Sequence, residues 1–275
     1  MKNYGLVLKK PEAEAYVLGA ANQLPKIVLR SDSDWSPFLP TYEAQADKYE
    51  TYGCTVWGTQ NIIETMLKFL EGVEYNFSER YNYILARVRP PGADPHIVAE
   101  TIRKQGLIKN ELLPLTDTYD EFIKPDPMTT NYLFQGSLFK YTLKHELVWG
   151  WNQKITEEER YKRIKEALQY SPLGVSVTAW HEQNGVYIDQ GQPNTHWTML
   201  YGIGEKGYLI FDSYDHSHKV LSFDHHIEVC KRFQLIPRLP PGGAILDTIS
   251  RVLKLISDLL SEMKKKLGFH EIPMR

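Results

Sequence analysis

From Thr55 to Leu70 apolar side chains return at helical spacing, at Val56, Ile62, Ile63, Met66, Phe69 and Leu70. Gly72 stands where a helix ending in a left-handed residue places glycine. A second helix is expected over 78–88, with Ser78 as N-cap and Pro90-Pro91-Gly92 as its stop. Asp94-Pro95 opens a third, whose apolar face is Ile97, Val98, Ile102 and Leu107 and whose end is Gly106. Residues 1–53 are broken by Pro11, Pro25, Pro37 and Pro40, with room for a short strand at Val28 and Leu29. Residues 110–152 read as loop with short elements. Thr156-Glu157-Glu158-Glu159 is a capping box, and the helix it opens runs to Leu168 with Tyr161, Ile164, Ala167 and Leu168 on its face.

Past Ser171-Pro172 the period falls to two. Val175 to Trp180 alternates as a half-buried strand, and strands are expected at 196–203, 207–212 and 219–223. Gly204-Glu205-Lys206-Gly207 supplies a hairpin turn. A helical half followed by an antiparallel half predicts an α+β protein of two lobes. Pro240-Pro241-Gly242-Gly243 then reads as a linker into an amphipathic helix over 244–267. On it Ile249, Val252, Ile256, Leu259 and Met263 fall on heptad a and d positions until Lys266 breaks the seam. Asp247, Asp258 and Glu262 dilute the basic face that anionic lipid requires, so docking on a partner chain or a second copy is expected.

Composition narrows the function classes. The net charge of −2 over 275 residues, without a basic run beyond Lys264-Lys265-Lys266, gives no electrostatic case for nucleic acid. Two cysteines are too few for a disulfide framework, and no apolar stretch is long enough to span a bilayer. Met1-Lys2-Asn3-Tyr4 leads into nothing like a secretory signal, so a cytoplasmic protein is expected.

The chemistry concentrates in three places. Cys54 lies at a helix start, His196 opens a strand, and Asp212 ends the next one. A helix N-terminus favours a thiolate, an imidazole takes the thiol proton, and a carboxylate holds the far imidazole nitrogen. The separation of 142 residues between Cys54 and His196 lies within the roughly 130–150 typical of papain-type sites. Asp215 rivals Asp212, but the hairpin brings 196 and 212 together at its open end and favours Asp212. His181 is a weaker candidate for the base. Cys230 reads as a buried small hydrophobe. His216-Ser217-His218 and His225-His226 lack a second cluster at metal-ligand spacing, so no metal site and no cofactor is expected.

Together these residues resemble the papain-like cysteine peptidases, particularly their divergent bacterial and viral branch. Gly53-Cys54-Thr55 is similar to the branch's Gly-Ser-Cys-Thr nucleophile motif, and Ser78-Glu79-Arg80-Tyr81 to the step after its catalytic helix. Gly92-Ala93-Asp94 through Gly106-Leu107 resembles the glycine-led helix, and Ile164 to Leu168 with Pro172 to Val177 the helix, turn and strand before the histidine. His196 to Gly202 and Tyr208 to Tyr214 match in order and spacing, so the likeness runs over roughly residues 36–236. It departs in having Asp212 where the family has Asn, Tyr214 for Trp, and Lys48 six residues before the cysteine. Gln45 resembles the oxyanion glutamine displaced by a three-residue insertion.

The resemblance implies a helical left lobe over about 36–170 and an antiparallel β-barrel right lobe over about 171–239. Cys54 would be the nucleophile, His196 the base and then the acid, Asp212 the orienting group and Gln45 an oxyanion donor. Residues 1–35 are too few for a long inhibitory propeptide and are expected to pack across the lobes. The expected substrate is a protein or peptide, cut at a peptide or isopeptide bond. A papain-fold structural or virion-assembly protein with weak or no catalysis, and a thiol-dependent acyl transferase or amidase, fit the same residues. The aromatics of 131–151, Tyr132, Phe134, Phe139, Tyr141, Trp149 and Trp151, fit lobe core better than a substrate wall.

Overall fold

The three N-terminal helices pack on one another and carry the first of them, α1 (Cys54–Glu71), against a sheet. The computed structural model describes residues 3–10, 17–18, 20, 23–125, 129–150, 153–214 and 218–238. The chain divides at Ile236 into two units, and the elements that follow belong to the first. The linker at 240–243 and the helix over 244–267 lie outside the described residues, as do Asp215, His216 and Trp151.

Helix α1 ends as its sequence requires, on Gly72 at φ +67°, whose N–H returns to the Lys68 carbonyl. Its amphipathic pattern understates its burial, because every residue from Cys54 to Leu67 is buried. Two of its polar members tie it to α2 and the loop before it: Gln60 Nε2 donates to Asn82 Oδ1 at 2.8 Å, and Glu64 accepts the Phe77 N–H at 2.9 Å. Helix α2 (Glu79–Leu85) has Ser78 as N-cap but stops short of Val88. Arg87 takes φ +55°, and the Arg87 and Val88 N–H groups fold back to Ile84 and Tyr83 before the proline pair arrives. Helix α3 (Pro95–Gln105) is capped by Asp94, whose carboxylate accepts the His96 N–H at 2.7 Å.

Residues 110–152 hold more structure than loop. They contain α4 (Tyr119–Phe122), α5 (Thr130–Ser137) and β1 (Tyr141–Leu147). The strand escaped its own alternation because His145 and Glu146 are buried beside Leu143 and Leu147. Trp149 is core, while Phe134 remains 57% exposed. Helix α6 (Glu157–Leu168) starts on Thr156, whose hydroxyl accepts the Glu159 N–H.

The remaining strands are β2 (Leu173–Val177), β3 (Glu182–Gln183), β4 (Val186–Tyr187), β5 (His196–Ile203), β6 (Tyr208–Phe211), β7 (His218–Leu221) and β8 (Cys230–Pro237). They form one sheet in the order β1-β8-β2-β5-β6-β7-β4-β3. That order is open where a closed barrel was expected, because it starts on β1 from the helical half and ends on the two-residue strands β3 and β4. Strand β2 is buried at all five residues rather than half-buried, since β5 and β8 flank it and α1 and α6 cover it. Cys230 is buried as expected, at the start of β8, which runs between β1 and β2. No strand forms at Val28–Leu29; the Leu29 and Arg30 N–H groups both go to the Gln169 carbonyl.

Trp197 locks the helix to the sheet. Its indole lies against Gly58 of α1 and Gly174 of β2, where a Cβ would stand 3.0 Å and 2.1 Å from ring atoms. Any side chain at Gly174 would evict the ring and with it the strand that begins at His196.

Candidate active site

Cys54 is the first residue of α1, and the Val56 and Trp57 N–H groups close the first turn on the Gly53 carbonyl. Its thiol is fully buried. Burial pushes its pKa up and the Asp212 and Glu50 charges add to this, against the Trp197 and Thr55 backbone amides, which favour the anion. Burial of the thiol therefore favours its neutral form.

Strand β5 packs against α1 and brings His196, fully buried, to the same end of the helix. The register Met199↔Phe211 and Leu200↔Ile210 places Asp212 just beyond the last pair, where the strands open. His196 Nε2 lies 2.5 Å from Asp212 Oδ1. Burial penalises the Asp212 charge, but His196 and Lys219 outweigh it and hold the carboxyl below its usual range. A carboxylate there fixes the proton on Nε2 and leaves the lone pair on Nδ1, which is buried with no hydrogen-bond partner.

Gln45 is also drawn in. Its N–H donates to the Ser213 carbonyl at 2.9 Å, and its Oε1 accepts from the Ser213 hydroxyl at 3.0 Å. That leaves Nε2 to donate to a peptide carbonyl, that of Tyr4, at 3.0 Å. Lys48, by contrast, points outward to Asp117. Thus Cys54, His196, Asp212 and Gln45 converge on one place, whereas His181 is solvent-exposed and contributes nothing there. His225 is a neutral core histidine, its pKa lowered to about 4 chiefly by burial, and it accepts the Thr178 N–H. No group of three or more His, Cys, Asp or Glu side chains could hold a metal among the described residues.

Several partners escape sequence reading. Residues 4–9 cross the site as an extended strap. The Tyr4 N–H donates to the Thr195 carbonyl, Ala93 N–H to the Gly5 carbonyl, and Val7 N–H to the Ala93 carbonyl, each at 3.0 Å. The Tyr4 ring meets His196 edge-on at 5.4 Å and Tyr214 at 4.6 Å. Trp180 also meets the imidazole edge-on, at 5.4 Å. Lys219 Nζ is 2.7 Å from Asp212 Oδ2 and 4.9 Å from the Trp180 ring centroid. Only Lys219 left a trace in the sequence: it shares the inward face of β7 with Leu221, an odd place for a lysine.

No helix among the described residues is long and apolar enough to cross a membrane. No family model matches the chain, and no curated protein matches it by sequence. Solved structures do. Procathepsin L 3 of the Tenebrio molitor larval midgut superposes with a TM-score of 0.56 at 14% identity, over 86% of this chain and 76% of that one. Xylellain, a cysteine protease from Xylella fastidiosa, gives 0.57 at 14% identity, over 87% and 97%. The cysteine protease and lectin-like domains of Cwp84, a surface layer associated protein of Clostridium difficile, give 0.58 at 10% identity, over 82% and 57%. With the helix-to-sheet packing described above, these superpositions establish that the chain has the papain-like fold.

Proposed function

We propose that this protein is a cysteine peptidase that cuts a peptide or isopeptide bond through an acyl-enzyme on Cys54. The observation that carries the reading is the buried His196–Asp212 pair, with Nδ1 left unpartnered, on the strand packed against the helix that Cys54 begins. In the proposed reaction Nδ1 takes the Cys54 proton as the sulfur attacks the scissile carbonyl. The oxyanion receives hydrogen bonds from Gln45 Nε2 and the Cys54 backbone N–H, and His196 returns the proton to the leaving amine. Water then attacks the thioester, with His196 again as base. The Gln45 donor is already committed to a peptide carbonyl, that of Tyr4, which is the interaction an oxyanion donor makes with substrate. No step calls on a cofactor.

Labelling with an electrophilic thiol probe tests the reading. Wild type is expected to label at Cys54 and to turn over a denatured casein substrate, with both lost in Cys54→Ala. Undiminished labelling or turnover in that variant would overturn it. A second reading, a papain-fold assembly protein without efficient catalysis, is favoured by one observation: the Cys54 thiol is fully buried, and that burial drives its pKa up. It predicts slow alkylation with an ordinary thiol's pH dependence and no turnover.

A further inference from the structure

Asp212 carries a problem of charge. An amide at that position would orient His196 without adding charge, whereas a carboxylate places a full negative charge beside both the imidazole and the thiol it must activate. The Asp212 charge is among the groups that oppose ionisation of Cys54. A fully buried carboxylate without a compensating charge would also be costly to desolvate. Strand β7 brings the compensation. Its register against β6 sets Lys219 opposite Ile210, two residues from Asp212, and turns its side chain inward. Lys219 Nζ donates to Asp212 Oδ2 at 2.7 Å and to the Tyr214 carbonyl at 2.6 Å. Trp180 and Tyr187 offer their ring faces to the same ammonium, at 4.9 and 5.8 Å. Each carboxylate oxygen therefore has one partner: Oδ1 holds the imidazole and Oδ2 holds the lysine.

We infer that Lys219 is a positioning residue of the site, which neutralises Asp212 so that a carboxylate can do there what a neutral amide otherwise would. The assignment rests on the reading of Cys54 and His196 as the catalytic pair. Its logic is electrostatic. With Lys219 present, the Cys54–His196 pair sees a nearly neutral Asp212–Lys219 unit. Without it, the carboxylate disfavours the thiolate and favours the imidazolium, so both limbs of a pH–rate profile move to higher pH. With Lys219 present and Asp212 made neutral, the lone ammonium moves both limbs to lower pH. The other titratable and charged groups facing the cluster are Glu50, which accepts from the Tyr214 hydroxyl, with Tyr4, Tyr187 and Tyr214 itself. None of them changes in the variants below.

The test is the pH dependence of Cys54 alkylation by iodoacetamide in the full chain, for wild type, Lys219→Met, Lys219→Arg, Asp212→Asn and the double variant Asp212→Asn/Lys219→Met. Lys219→Met is expected to move the profile up by about one pH unit, a roughly tenfold loss of rate on the acidic limb. Asp212→Asn should move it down, while Lys219→Arg and the double variant stay near wild type. Superimposable wild-type and Lys219→Met profiles would overturn the inference, as would a double variant that behaves like either single one. If Lys219→Met does not fold, the opposite displacement in Asp212→Asn and its reversal in the double variant decide the question; a failure of the double variant to fold as well would count against charge balance. A wild-type profile like that of an isolated thiol would instead sink the catalytic pairing. The displacement between variants would still read Lys219, because the field of Asp212 acts on the thiol whether or not it reacts.

Discussion

At Gln45 a single side chain links the chain's own backbone to the proposed chemistry. Its two amide atoms do separate work: Oε1 is held by the Ser213 hydroxyl, so Nε2 is aimed rather than free to rotate. A donor fixed in this way costs no reorganisation when charge develops on the carbonyl oxygen. Gln45→Ala is expected to lower kcat on a peptide substrate by about 100-fold or more, while leaving Cys54 alkylation by iodoacetamide undiminished, since displacement of iodide develops no oxyanion. A kcat within about threefold of wild type would remove Gln45 from the mechanism. The residue was legible in the sequence only through its likeness to a displaced oxyanion glutamine, set against the Lys48 that occupies the expected spacing. Cys54, His196 and Asp212 were easier to see, because each sits at the end of an element whose periodicity is clear. Lys219 shows only as a lysine on the inward face of β7, while Trp180 and Tyr4 carry no local mark, because the groups they meet lie on other strands or segments.

Among the elements, the strap of residues 4–9 is the one whose placement bears most on access. Its path depends on close backbone approaches that only glycine permits. Gly5 sits at φ +116°, and a Cβ there would lie 2.1 Å from the Tyr52 carbonyl oxygen; a Cβ on Gly92 would lie 1.9 Å from the Gly5 carbonyl oxygen. The strap also pairs parallel to Ala93 through Leu6, which is buried. Gly5→Ala therefore cannot keep this conformation, and the expected outcome is release of the strap with the sheet and helices intact. Cys54 would then alkylate at least about tenfold faster, the effect of lowering an opening free energy by 1.4 kcal/mol or more. An unchanged rate, with unchanged circular dichroism, would show that the strap does not limit access to the thiol. Residues 1–35 are expected across the lobes from the resemblance, but the path of the strap was not legible, because one glycine and a single bridge carry no periodicity. Strand β1 was missed for the complementary reason: two of its polar residues are buried, with Glu146 paired to Arg232 of β8 and His145 contacting Glu100 and Lys231. Periodicity reads solvent exposure, and it fails where charged groups are matched inside the protein.

On the scale of the whole unit, buried titratable groups set how stability answers to pH, and they do so with opposite signs. His145 and His225 are neutral in the fold, each with its pKa lowered to about 4 by burial first, aided at His145 by the Lys231 charge. The unfolded chain takes up protons on these rings from about pH 6.5 downward. Their contribution is complete above that value and is lost as pH falls towards 4. Glu64 and Glu79 run the other way. Burial holds both carboxyls well above their usual range, so their contribution is complete below about pH 4.3 and declines as pH rises through the folded value. Between about pH 4.5 and 6.5 the two slopes oppose each other, and the wild-type melting temperature is expected to vary little. Removing one member should tilt the balance in a direction fixed by its sign. In His145→Gln the melting temperature should rise on acidification across that interval, because the carboxyl term is then less opposed. In Glu64→Gln, where the amide can still accept the Phe77 N–H, it should fall on acidification. Calorimetric melts of the three proteins at pH 4.5, 5.5 and 6.5 measure the tilt. Parallel lines for both variants and wild type would mean that these groups ionise in the folded protein much as they do in the unfolded chain, and that the packing around them is looser than their burial implies.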